Sequence, residues 1–130
     1  MSATTQTPAA ATPASTLASS TAFRTFATVF AIVTPVLYVV CEMRNWPLFT
    51  YHPGTGRLDL GWAAAVKDEG PAMYWYGWTA TTLIGAAVLG AIAAKLPESM
   101  TRKIPLWLVW ALPLAAIPVL VYALRFFWRW

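Results

Sequence analysis

The chain contains a single histidine, His52, and three carboxylates follow it closely: Asp59, Asp68 and Glu69. A histidine oriented by a carboxylate forms two parts of a hydrolytic site. The third part is a hydroxyl or thiol nucleophile within hydrogen-bond reach. No spacing here singles out such a nucleophile, so these residues form a set of types rather than a motif. His52 can also be grouped with Cys41, Met43 and Met73, which are soft or imidazole ligands of the kind copper takes. That set has one imidazole, and "CEM" is too short to be diagnostic. A lone cysteine excludes an internal disulfide and a Cys-only metal site, and a lone histidine excludes a bis-His haem within one chain. The expectation is therefore no cofactor and no metal, with His52 solvated or packed beside the Pro-Gly turn. A membrane enzyme or cofactor binder is the least favoured reading.

The charged residues that are present avoid three stretches. No Asp, Glu, Lys, Arg or His occurs from Thr25 to Cys41, from Pro71 to Ala94, or from Ile104 to Leu124. Each gap is about the length that crosses ~30 Å of hydrocarbon at ~1.5 Å per residue. Only 11% of the residues are charged and the mean hydropathy is +0.56, too few charges to cover a soluble domain, where about a quarter is usual. The fold class expected is an all-α integral membrane protein with three spans, at about residues 22–43, 71–95 and 104–127. Proton or ion pumping normally leaves an ionisable group inside a span, and these spans hold none away from their ends, where Glu42 and Arg125 can snorkel. A small transporter or channel is accordingly the alternative rather than the leading reading. The net charge of +4 does not point to nucleic acid, because nearly all the basic residues flank the apolar segments, where they anchor helix ends and set orientation.

The elements between and around the spans follow from local composition. Residues 1–21 are almost wholly Ala, Ser, Thr and Pro. They lack the charged start and apolar core of a secretory signal, and the expectation is a disordered tail ahead of a membrane domain at 22–130. Pro35 falls inside the first span, where it frees the Ala31 carbonyl. Residues 44–70 form the one sizeable loop. "LFTYH" and "RLDL" alternate around "PGTG", which predicts a short β-hairpin. "GWAAAVKDE" reads as an interfacial turn or helix. Pro71 is placed to begin the second helix, with Asp68 and Glu69 ahead of its positive end, and Pro97 to stop it. The short "LPESMTRK" makes the second and third helices antiparallel neighbours. The third carries Pro105 in its first turn and then Pro113 and Pro118, so it is bent.

Two patterns point outward from the chain. In the second helix small residues recur at Gly77, Thr81 and Gly85, and again at Ala86, Gly90 and Ala94, a spacing that lets helix backbones approach closely in lipid. At the start of that helix "YWYGW" crowds Tyr74, Trp75, Tyr76 and Trp78 beside the long loop with its Trp46 and Trp62. Trp128 and Trp130 join the same side, so six of the eight tryptophans gather there. Trp and Tyr favour the membrane–water boundary, but crowding on all sides of one helix also suits a rim for a partner or ligand.

The partners expected are the lipid bilayer and other membrane-protein subunits or further copies of this chain. The function expected is that of a structural or accessory subunit. The location expected is a bacterial inner membrane, with the N-terminus and the short basic loop in the cytoplasm.

Overall fold

The computed structural model describes residues 20–125. The tail expected at 1–21 lies outside this range apart from its last residues, as do Trp128 and Trp130. The described part is mostly helical with one small sheet. Helix α1 (Thr21–Arg44) leads to a hairpin of β1 (Phe49–His52) and β2 (Arg57–Leu60). Helix α2 (Trp75–Ala93), a single turn α3 (Glu98–Thr101) and helix α4 (Leu108–Ala123) follow. Two of the helices, α1 and α2, are long and apolar enough to cross a membrane; α4 is apolar but shorter.

Helix α1 runs through Pro35 without a break, and the Thr34 hydroxyl donates to the Phe30 carbonyl at 2.6 Å. It ends where Asn45 takes the left-handed conformation, with φ of 51°, which Asn tolerates better than most residues. Asn45 N–H then donates to Glu42 O (3.1 Å) and Trp46 N–H to Cys41 O (2.9 Å), satisfying two carbonyls that the helix end would otherwise leave bare. Pro47 follows and cannot continue the helix.

The hairpin pairs Phe49 with Leu60, Thr50 with Asp59, Tyr51 with Leu58 and His52 with Arg57. Its turn closes at Gly56, whose φ of +70° suits glycine and whose N–H reaches His52 O at 2.8 Å. A single extra rung joins Met73 to Tyr51, with Met73 N–H to Tyr51 O at 2.8 Å. That rung moves the start of the second helix. Met73 is held against β1, so α2 begins at Trp75 instead of Pro71. Likewise Pro105 lies in a turn before α4, which begins at Leu108.

Helix α1 is the middle of the helical layer, with α2 on one side and α4 on the other, and α2 and α4 scarcely touch. The antiparallel α2–α4 pairing expected from the short connection is therefore not what forms. Residues 94–107 carry the chain across α1, so α4 runs parallel to it. The reason is steric. Helix α2 presents buried Ala86, Gly90 and Ala93 to α1, and the Phe26 ring lies over Gly90 while Leu37 lies over Gly85. Small residues opposite large ones bring the backbones close.

Gly77 has a different neighbour. A Cβ there would collide with the Phe49 carbonyl and the Pro47 ring, so the glycine admits the β1 strand, not a helix. At Gly85 an added Cβ meets only the end of the Leu37 side chain, at 3.0 Å, which can rotate away. Gly77→Ala is therefore expected to lower stability by about 1–3 kcal/mol through overpacking, while Gly85→Ala is neutral or slightly stabilising through helix propensity. Thermal unfolding of the detergent-extracted protein measures both; equal tolerance of the two changes would contradict the packing described.

Candidate functional site: a buried polar clamp beside an aromatic rim

Alternation along the strands sends Thr50, His52, Arg57 and Asp59 to one face of the hairpin. The segment from Gly61 to Gly70 folds back over that face. The Thr50 hydroxyl donates to Gly61 O at 2.7 Å and accepts from Ala63 N–H at 3.1 Å, which fixes the near end of the segment. Glu69 fixes the far end. It is 5% exposed and accepts from the Val66 N–H at 2.9 Å. Its other oxygen is 2.9 Å from the Arg57 guanidinium and 3.4 Å from the Thr55 hydroxyl. Its backbone carbonyl accepts from Gly54 N–H at 2.9 Å.

His52 lies beneath this segment with no solvent exposure. Nε2 faces Asp59 at 3.2 Å and the Arg57 guanidinium at 3.4 Å. Nδ1 is 3.3 Å from Glu69 but without an aligned hydrogen bond. Arg57 in turn donates to Asp59 at 2.8 Å. The ring is thus enclosed by two carboxylates and a guanidinium. The residues that sequence reading set beside His52 divide: Asp59 and Glu69 reach it, whereas Asp68 is exposed in a left-handed turn with φ of 73°. Among the described residues no three His, Cys, Asp or Glu side chains converge as a metal site. Of the soft ligands considered, Cys41 is buried in α1 and Met43 is exposed.

Glu69 does not wait ahead of α2's positive end, as expected from its position, but turns back into the hairpin. The Arg57 guanidinium compensates it more strongly than a helix terminus would, because charge-assisted hydrogen bonds are the stronger kind. Arg57 itself was missed from sequence. The signal was available: strand register alone places it opposite His52 and on the same face as Asp59. With the ring closed to solvent and its contacts made by charged neighbours, the arrangement acts as a clamp between hairpin and loop.

Compared with protein-family models, with curated proteins and with solved structures, the chain matches none.

The aromatic residues form two groups. Trp62, Tyr74 and Trp78 stack in series, with centroids 6.4 Å and 6.2 Å apart, and the Tyr74 hydroxyl donates to Ala63 O at 3.2 Å. This ladder ties the 61–70 segment to α2. Trp75 and Tyr76 are exposed on the first turn of α2, and Tyr76 meets the Tyr51 ring edge-on at 6.5 Å. Trp46 is exposed at the start of the loop, where its carbonyl is 3.1 Å from the Thr81 hydroxyl. That hydroxyl is also 2.9 Å from Gly77 O.

Of the small residues singled out in α2, Gly77, Ala86 and Gly90 are buried, and Thr81 and Gly85 are half-buried. Ala94 is half-buried just past the helix end. Thr82 and Ala93, not singled out, are buried too.

The clamp makes a sharp prediction. Glu69→Gln removes the ion pair with Arg57 and leaves a buried polar end with fewer partners. It is expected to cost about 1–3 kcal/mol and to open residues 61–70 to protease. Asp68→Asn, at an exposed position whose left-handed backbone Asn also accepts, should change neither. Limited proteolysis alongside thermal unfolding reads both effects.

Proposed function

We propose that this chain is a three-span membrane protein, α4 being the third span, and that it serves as a structural or accessory subunit of a larger membrane assembly or associates with further copies of itself. The observation that carries this reading is the open, single-layer arrangement of the helices. Because α4 packs on α1 alone, an apolar groove of about 550 Å³ lies between them, lined by Phe30, Pro35 and Tyr38 on one side and Pro113, Ile117 and Leu120 on the other. Large apolar side chains also stand exposed on α2 and α4, among them Leu83, Ile84, Val88, Leu114 and Val121. A layer of three helices with grooves left open suits docking to neighbouring helices. The clamped cap gives such a subunit a rigid extramembrane surface. The setting proposed is a bacterial inner membrane, with the hairpin outside and α3 in the cytoplasm, where Lys95, Arg102 and Lys103 lie close together in the chain.

Purification in mild detergent is expected to recover the chain with other membrane proteins or as an oligomer. Ala116 also lines the groove, and Ala116→Phe, which fills it from within, should release the partner. A lone monodisperse monomer from native membranes would overturn the subunit reading. Orientation is checked separately with single cysteines at Thr55→Cys and Ser99→Cys. A membrane-impermeant reagent applied to intact cells should label the first and not the second, and the opposite result reverses the orientation.

A further inference from the structure

The hairpin has its polarity reversed. One face carries Thr50, His52, Arg57 and Asp59, and the other carries Phe49, Tyr51, Leu58 and Leu60. An antiparallel sheet with one face in water normally buries the apolar side. Here the polar side is covered by residues 61–70, while Leu58 is 57% exposed and Leu60 is 87% exposed. No charged residue lies on the apolar face.

The backbone also fixes the height of that face relative to α2. Strand β1 runs antiparallel to the start of the helix. The contacts climb in order: Thr81 hydroxyl to Trp46 O at 3.1 Å, Leu48 N–H to Gly77 O at 3.1 Å, and Met73 N–H to Tyr51 O at 2.8 Å. Strand β2 comes back down beside β1. Leu60, paired with Phe49, is therefore level with the first turn of α2, where Trp75 and Tyr76 stand exposed. Leu58 is about 7 Å higher, two strand residues away. The turn at 53–56 is farthest from the helix. The edge contact between Tyr51 and Tyr76 makes the apolar hairpin face continuous with the aromatic first turn of α2.

We propose that this face rests in the lipid headgroup region of the bilayer, base first, with Leu60 deepest. The inference depends on the membrane reading above. Lipid is the occupant because the face continues the outer surface of an apolar helix at the depth where Trp and Tyr collect, and because it carries no charge that a polar partner would recognise. The polar clamp is then the water-facing half of the cap, and the reversal of polarity is what a hairpin lying in the headgroup region, apolar face toward the acyl chains, requires. Lipid contact also supplies the support that a two-stranded hairpin lacks by itself.

The test uses the full chain in a Cys41→Ala background with one new cysteine in each of four variants: Leu60→Cys, Leu58→Cys, Thr55→Cys and Val88→Cys. Each carries an environment-sensitive fluorophore and is reconstituted in phosphatidylcholine vesicles, with and without acyl-brominated phosphatidylcholine. The position-60 emission should shift to the blue and be quenched by the brominated lipid. Position 58 should respond less, and position 55 should behave as in water. Val88 is exposed in the C-terminal half of α2 and reports the membrane reading itself. Quenching at 88 with water-like emission at 60 overturns the hairpin inference alone. No quenching at 88 removes the membrane reading and this inference with it. A position-60 probe shielded from both brominated lipid and an aqueous quencher shows a protein contact on the face, and also overturns it.

Discussion

A carboxylate withdrawn from water must be met by donors, and the whole cap is arranged around one, Glu69. Its partners come from four places: the Arg57 side chain, the Thr55 hydroxyl, the Val66 amide and, for its backbone carbonyl, the Gly54 amide. Together they pull the 61–70 segment across one face of the hairpin. That choice of face decides everything outside it, since alternate residues along both strands must then point the other way. A slip of one residue in the pairing would send His52 and Arg57 to opposite faces and leave Glu69 buried without one of them. Glu69 is buried but the Arg57 side chain is 40% exposed, so the pair itself adds little net stability, while leaving the buried carboxylate without its partner is costly. Here the pair acts to discriminate between registers of a hairpin too short to choose by area alone.

The hairpin in turn depends on Gly77. Strand β1 approaches α2 so closely that its Phe49 carbonyl occupies the space of a side chain. The contact transmits the orientation of the cap to the helix, and the Trp62–Tyr74–Trp78 ladder repeats the connection on another side of α2. The crowding of aromatic residues in "YWYGW" thus has two physical causes. Tyr74 and Trp78, four residues apart on one helical face, hold the 61–70 segment, while Tyr76 meets the Tyr51 ring of the hairpin and Trp75 stands exposed beside it.

Much of this was legible in residue order. Charge-free stretches located the helices, and alternation around "PGTG" located the hairpin with its two strands. His52, Asp59 and Glu69 were recognised as residues that could meet. What sequence reading missed came from contacts remote in the chain. Pro71 has a good first-turn signal, yet the Met73 rung to Tyr51 overrides it and delays the helix. Asp68 and Glu69 look alike as neighbours ahead of a helix, but the backbone turn at Asp68 sends one outward and the other under the hairpin. The small residues of α2 were read as one face with one kind of partner. In three dimensions Gly77 serves a strand and Gly90 serves a phenylalanine ring. Helix adjacency failed for a similar reason, because connection length limits which helices can touch but not which surfaces fit.

The position of α1 between α2 and α4 bears on the order in which the chain can acquire its structure. Among the described residues the cap's hydrogen-bond and ion-pair partners lie between Cys41 and Thr81, and α2 packs on a helix that precedes it. The α1–hairpin–α2 unit therefore needs nothing from α4 to complete its internal contacts. The pairings of the cap join nearby stretches of chain, so loop closure opposes them only weakly. Helix α4 adds to a surface already complete, docking as a late attachment whose loss would leave the earlier unit's contacts whole.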